Sequence, residues 1–319
     1  MGKKMFVKEL KGADNALIFT DIFLVTSKSV LRTNAGKPYL NITLKDATGE
    51  IEGRVWDRVN EISDRFGSLD YVTVTGSVVN HQGRFQVKII DMDRADEEEV
   101  VPSDYLPSSR KPVGQMWKEL EDLVSSIEDP GMRQFLERIF SHEEVELHLK
   151  AAPAGKKLHH NWVGGLLEHI LSVAVISDFL SSHYHEVDRD MLISGALLHD
   201  IGKIYELSYD RGFDYTDGGK LIGHIVIGSD LVSRVARETN LLTEEKEMLL
   251  KHIILSHHGE LEYGSPKRPK TLEALIIHFV ENMDSKVNAF LSALESSDGG
   301  SHWSEYQRMF SRFLYMKRD

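Results

Sequence analysis

The chain has 319 residues, 38 basic against 50 acidic, and a net charge of −12, a balance that argues against coating duplex nucleic acid by bulk electrostatics. It contains no cysteine, which excludes disulfides and thiolate metal sites and leaves nitrogen and oxygen as the atoms that could ligate a metal. The length suits about two domains, and the charge is uneven: 13 basic and 10 acidic residues precede Asp91, against 25 and 40 from there onward, so the N-terminal part is the better polyanion binder.

The opening stretch MGKKMFVKELKGADNALIF lacks an apolar segment with a small-residue cleavage site, and nowhere do 18 uncharged apolar residues run together. A cytoplasmic protein with no membrane partner is therefore expected. From about 16 to 92 apolar residues alternate with period two, and ALIFTDIFLVTSKSVLRT, KPYLNITLKD, EIEGRVWD, YVTVTGSVV and RFQVKIIDM are predicted strands. TNAGKP, DATGE and NHQGR supply the turns between them. DRVNEISDRFGSLD leaves room for a short helix between the third and fourth strands, as in an OB-fold barrel. This all-β domain is placed at residues 1–95.

DRADEEEVVPSDYLPSSRKPVG combines an acidic run, prolines and serines, and 96–114 is expected to be a linker. Beyond it, over 115–319, helical periodicity predicts an all-α domain with helices at about 115–128, 130–140, 141–150, 162–183, 188–202, 219–239, 243–258 and 271–295. The tail SSDGGSHWSEYQRMFSRFLYMKRD reads as a turn, a short helix and an aromatic end.

Histidines and aspartates recur along these helices: His169 in GGLLEHI, His199 and Asp200 in LLHDIGK, His224 in LIGHIV, His257 and His258 in LSHHGE, and Asp284 in ENMDSKVN. An ionised carboxylate in an apolar helix costs several kcal/mol, ~3 or more, unless a cation meets it. Imidazole suits first-row divalent metals, and a carboxylate can bridge two of them. His169, His199, Asp200 and Asp284 are therefore expected around one ion, and Asp200, His224, His257 and His258 around a second. Such a pair clamps a phosphoryl group and activates water.

Lys203, three residues after Asp200, would share its face on a continuing helix and neutralise a substrate phosphate, or else be a solvated lysine past a glycine-ended helix. His159 and His160 in KLHHNWVGG precede the first ligand helix; one of the two, His160 in the catalytic set chosen here, would donate to phosphate or to the leaving oxygen, the alternative being a capping role. His81, His142, His148, His183, His185, His252 and His302 read as solvated or capping residues, and His278 at most supports a ligand.

The order His169, His199-Asp200, His224, His257-His258, Asp284 resembles the HD-domain metal-dependent phosphohydrolases over about 155–295. LRTNAGKPYLNITLKDATGEIEGRVWD is similar to nucleic-acid-binding OB-folds. A barrel followed by an HD-domain helical bundle, with HHNWVGGLLEH, SHHGELEYGSPKRP and the late WSEYQRMFSRFLY, looks like the YhaM family of bacterial 3′-to-5′ exoribonucleases over nearly the whole chain. The resemblance implies manganese-assisted removal of nucleotides from a single-stranded 3′ end, with the barrel holding the strand. Iron, cobalt and zinc also suit an imidazole-rich site. Cyclic-dinucleotide phosphodiesterases of the neighbouring HD family carry Gly-Tyr-Pro after the paired histidines and a glutamate one turn before the first ligand. Here Gly264-Ser265-Pro266 and Gly165 stand in those places, which weakens a third metal and a cyclic dinucleotide.

In the barrel, stacking on aromatics at about 1–3 kcal/mol per base would hold a single strand. Tyr39 and Phe85 adjoin basic turns and are the first choices, with Trp56 expected to be buried; Arg32, Lys37, Arg54 and Arg84 would track phosphates. The reading is a metal-dependent exonuclease acting on single-stranded RNA, and on single-stranded DNA as a second substrate, that releases nucleoside 5′-monophosphates. A phosphohydrolase of small nucleotides, with the barrel for regulation or assembly, is the alternative. A binding protein with a vestigial site is disfavoured by the complete ligand set, and an iron oxygenase by the barrel. A homo-oligomer is compatible with an enzyme of this size.

Overall fold

A computed structural model describes residues 3–14, 16–81, 83–156, 160–209, 212–295 and 302–316. The chain divides into two compact units, Met1–Ser108 with Ser208–Asp214, and Ser109–Leu207 with Tyr215–Asp319.

The first unit opens with a one-turn helix α1 (Val7–Leu10) and continues through β1 (Ile18–Arg32), β2 (Pro38–Asp46), β3 (Gly49–Val55), helix α2 (Val59–Ser63), β4 (Tyr71–His81) and β5 (Arg84–Arg94). The strands close in the order β1-β2-β3-β5-β4, with a parallel β3–β5 pair among antiparallel neighbours. This closed five-stranded Greek-key barrel, with a helix between the third and fourth strands, is an OB-fold. β1 pairs with β4 over its first half and with β2 over its second, and the register shift between Val25 and Ser27 bends it from one partner to the other. Alternation delivers Phe23, Val25, Leu40, Ile42, Leu44, Val72, Val74 and Val87 to the interior. Val7 and Leu10 of α1 join them in the core, with the Val7 amide donating to Asp46 Oδ2 at 2.6 Å. Gly76 sits at a second register shift, where a Cβ would come within 2.9 Å of the Lys88 carbonyl oxygen.

The segment expected as a linker is partly built into this unit. Tyr105 and Leu106 are buried, the Tyr105 ring lies 4.9 Å from that of Tyr71, and the Ala47 amide donates to the Asp104 carbonyl. The acidic and proline residues that suggest a free linker flank a short apolar anchor.

The second unit is helical: α3 (Val113–Ser125), α4 (Pro130–Phe140), α5 (Glu143–Ala151), α6 (Gly165–His183), α7 (Arg189–Leu198), α8 (Lys203–Glu206), α9 (Asp217–Leu221), α10 (His224–Thr239), α11 (Glu244–Ser256) and α12 (Leu272–Glu295). Asp129, Asp188 and Thr243 cap α4, α7 and α11 by accepting from backbone amides. α7 is the central helix, buried from Met191 to Leu198. A Cβ on its Gly195 would stand 2.6 Å from Ile253 of α11 and 2.8 Å from Ile277 of α12, so the missing side chain lets both helices approach.

α6 is long and apolar enough to span a bilayer by length and composition, yet half of that window is buried, as befits a core helix. The helices expected over 188–202 and 219–239 are each broken. The first stops at Leu198 and resumes at Lys203, and the second is interrupted at Gly223, whose φ is +81°. The tail differs too: Trp303 pairs with Tyr315 and Gln307 with Arg312 as antiparallel bridges in place of a short helix.

Candidate metal centre and nucleic-acid face

His199 and Asp200 occupy the turn between α7 and α8, and glycine makes that turn possible. A Cβ on Gly202 would lie 2.1 Å from the His224 carbonyl oxygen, so the turn packs directly on the start of α10 and carries Asp200 toward His224. The same device recurs twice. Gly165 abuts the His160 carbonyl at 2.0 Å, and Gly259 abuts the His278 ring at 2.1 Å, distances that again refer to an added Cβ.

The result is a buried carboxylate between two groups of imidazoles. Asp200 Oδ2 lies 3.5 Å from Nε2 of both His169 and His199, while Oδ1 lies 3.4 Å from Nε2 of both His224 and His257. His258 joins the second group. The far side of each ring fixes its tautomer. Nδ1 donates to the Ala196 carbonyl in His199 at 2.7 Å, to Ile254 in His257 at 2.8 Å, to Tyr263 in His258 at 3.0 Å, and to Glu206 Oε1 in His224 at 2.9 Å. In a neutral ring held this way Nε2 carries a lone pair.

Burial pushes His199 well below the ordinary imidazole range, lowers His257, and takes His258 to about 3. Burial alone would raise the Asp200 pKa, but the Lys203 ammonium holds it well below the usual carboxylate range. A lone pair of His257 therefore faces an ionised oxygen 3.4 Å away, and His224 Nε2 stands at the same distance from that oxygen. His224 Nε2, His257 Nε2 and Asp200 Oδ1 are all buried without a hydrogen-bond partner. Acceptors turned on one another in a dry interior are unfavourable until a cation enters between them. The donor set is nitrogen and carboxylate oxygen, which suits Mn, Fe, Co or Zn, and the residues fit a divalent metal.

Asp284 forms with His160 and His169 a further group that could hold a metal ion, adjoining that of His169, His199 and Asp200. Its Oδ2 accepts from His169 Nδ1 at 2.8 Å and from His160 Nε2 at 3.2 Å, and its Oδ1 accepts from Ser172 at 2.5 Å. It thus meets the opposite edge of the His169 ring from the one facing Asp200, and orients that ring. Burial opposes its charge, yet these donors keep its pKa well below the carboxylate range. His160, in a left-handed conformation with φ +50°, is tied to Asp284 rather than turned toward open space. His159 lies outside the described residues.

Lys203 begins α8 instead of continuing α7, and its Nζ donates to Asp200 Oδ2 at 2.7 Å. Burial works against its charge, but Asp200 raises its pKa above the usual value. His278 supports the centre through Nδ1, which donates to the His257 carbonyl at 2.9 Å.

Sequence reasoning missed Glu206, Ser172 and Glu281. Glu206 follows Lys203 by three positions in HDIGKIYE and accepts from both the amide and Nδ1 of His224; its acidic character within an otherwise apolar stretch was the available signal. Glu281, one turn before Asp284, is raised to about 7 by burial and by the charge of Asp200.

On the barrel, Tyr39 and Trp56 stack with ring centroids 4.9 Å apart, and the Arg54 guanidinium lies 5.8 Å from the Tyr39 centroid. Trp56, expected to be buried, is half-buried and lines a groove of about 720 Å³ with Arg54, Val79, Arg84, Gln86 and Lys88. Phe85, a first choice from sequence, leans on the barrel core, because residues next to one another in a strand point to opposite faces. Arg32 and Lys37 lie at the β1–β2 turn. Arg32 donates to the Gly36 carbonyl and Lys37 pairs with Asp57 at 3.3 Å, both exposed.

Residues 166–285 match the family model of the HD domain, and residues 24–93 match that of the OB-fold nucleic acid binding domain. Similar solved structures include the p204 HINb domain (15% identity, 28% of this chain and 46% of that one, TM-score 0.25). Others are the second OB-fold domain of replication protein A from Methanococcus maripaludis (20% identity, 26% and 87%, TM-score 0.21) and a replication protein A heterotrimer bound to ssDNA (24%, 27% and 62%, TM-score 0.22). The chain spans under half the length of the p204 HINb structure it matches. The chain thus carries an OB-fold barrel followed by a helical unit that contains the HD domain.

Proposed function

We propose that the protein is a metal-dependent 3′-to-5′ exoribonuclease, similar to the YhaM family, that releases nucleoside 5′-monophosphates from single-stranded RNA and also accepts single-stranded DNA. The observation that carries this reading is the buried Asp200 carboxylate, with imidazole lone pairs turned on each of its two oxygens. His169, His199 and Asp200 would hold one ion, and Asp200, His224, His257 and His258 a second, manganese being the best candidate. Ions so held would offset charge on a phosphodiester and make a water nucleophilic near neutral pH.

The chain's own residues do the rest. Lys203 keeps Asp200 ionised and has further donors for a phosphate oxygen. Glu206 fixes the His224 tautomer, and Asp284 and His160 fix the His169 ring. On the barrel, Trp56 and Tyr39 offer faces for base stacking, while Arg54, Arg84 and Lys88 follow the phosphates.

The test is a time course on 5′-labelled single-stranded RNA with Mn²⁺, with EDTA and Asp200→Ala as controls. A ladder shortening from the 3′ end, with mononucleotide appearing and both controls inert, is expected. An intact strand beside hydrolysed small nucleotides would replace this reading with that of a small-molecule phosphohydrolase.

A further inference from the structure

α12 has two apolar faces, and the bundle uses one. Ala274, Ile277 and Val280 are buried among the other helices, as is Asp284. A second stripe, Leu272, Leu275, Phe279, Met283, Val287 and Leu291, recurs every three or four residues and remains between 42% and 62% exposed. Phe179 of α6, 73% exposed, lies beside it, and the two helices border an apolar groove of about 790 Å³.

Solvent-exposed helices carry polar residues on their outer face, so this stripe calls for an occupant. Taking ~150–250 Å² for a fully exposed aromatic side chain, and less for the aliphatic ones, the stripe with Phe179 presents on the order of 800 Å² of apolar surface. That exceeds the ~300–600 Å² patch of an ordinary monomer and equals the ~800 Å² per partner of a stable interface.

We infer that this face of α6 and α12 is where two copies of the chain pair, α12 lying antiparallel to its twofold mate. The stripe is self-complementary in that arrangement. With the axis between Phe279 and Met283, Phe279 of one copy meets Met283 of the other, Leu275 meets Val287, and Leu272 comes to Phe290 and Leu291. Every pairing is apolar on apolar, and the central one is a favourable sulfur–aromatic contact. Twofold pairing is also the commonest form of self-association.

The charge pattern points the same way. The six stripe positions are all uncharged, and Glu186 is the charged residue lining the groove. Glu186 and Lys286, exposed beside the stripe, are of opposite sign, so two copies of a chain of net charge −12 can meet along the stripe without gathering charge of one sign. Among the described residues lining the groove none is a cation that a nucleic acid would need, and an anionic bilayer would meet a chain of its own sign. The aromatic tail packs on itself, Trp303 on Tyr315 and Tyr306 on Phe313, and meets α12 through Phe310 on Phe290, two turns past Met283, the last residue of α12 that lines the groove. The inference does not depend on which reaction the centre catalyses.

The test is sedimentation velocity on the full chain and on Phe279→Glu, with circular dichroism as the check on folding. The wild type should sediment as a dimer or a multiple of one. Phe279→Glu should halve the assembly and raise its dissociation constant ~30-fold or more, as for an interface hot spot. The absence of cysteine allows a second measurement that tolerates failure of that variant. Phe279→Cys and Met283→Cys proteins, mixed and oxidised, should yield a mixed disulfide dimer in preference to either homodimer. A wild type that stays monomeric at high micromolar concentration would overturn the inference, as would an assembly indifferent to Phe279→Glu. So would a monomer that floats with phosphatidylglycerol vesicles through Phe279.

Discussion

The two units bury charge in opposite ways. In the barrel, the charged side chains of the groove face water and are paired or solvated, and the main exception is Lys3. Its Nζ donates to the Ile22 carbonyl at 2.5 Å, lies 3.4 Å from the Phe23 ring centroid and stands within 4 Å of Asp21 and Asp46. In the helical unit, ionisable side chains from α6, α10, α12 and the α7–α8 and α11 ends are buried together, with lone pairs turned inward. One interior is complete without added charge, and the other asks for cations. The lesson is that a histidine's role is read less from its burial than from what its second nitrogen is bonded to.

The contrast breaks most visibly under metal. Free Mn²⁺ at about 1,000 times its dissociation constant should stabilise the helical unit by ~4 kcal/mol and leave the barrel unchanged. Hydrogen exchange resolved along the sequence checks this, and equal protection of both units would count against the division.

Next in size is Lys3, whose pKa burial lowers to about 8 against ~10.4 in an unfolded chain. Between those values the unfolded chain binds more protons than the native one, so barrel stability should rise with pH from about 8 to 10. The burial of the cation costs up to ~3 kcal/mol below that window. Lys3→Met should flatten the rise in urea melts; a profile unchanged by the substitution would show that the ammonium is at no disadvantage.

Glu206→Gln keeps the shape but removes the carboxylate that sets the His224 tautomer. Metal affinity should fall ~10–100-fold, as read by calorimetric titration, with the thermal midpoint of the metal-free protein little changed. On the barrel, Trp56→Ala should weaken single-stranded RNA binding by about 1–3 kcal/mol, whereas Phe85→Ala should chiefly lower stability. Filter binding beside a melt separates the two, and a reversal would return Phe85 to the stacking face.

Much of this was legible in the sequence because it rests on local chemistry. The two-residue alternation of KPYLNITLKD and YVTVTGSVV dictates strands, and the His-Asp pair inside LLHDIGK announces a charge that an apolar environment must compensate. What stayed hidden depends on contacts between segments far apart. The break after Leu198 arises because Gly202 meets the His224 carbonyl, a neighbour 22 positions away. Asp284 looks like a ligand by type, and the edge of His169 that it meets is set by how α6 and α12 pack. Tyr105, inside an acidic and proline-containing stretch, is anchored by Tyr71 across the barrel surface. Trp56 and Phe85 differ by the side of the sheet they take, and a one-residue change of register exchanges those sides.

The central claim is that Asp200 joins two cation sites. Its most direct test is the metal content of the purified protein after equilibration with Mn²⁺, measured by mass spectrometry for the wild type and for Asp200→Ala with its fold verified. The account predicts about two ions per chain in the wild type and the loss of both in the variant. A variant that keeps two ions, or a wild type that binds none, would contradict it.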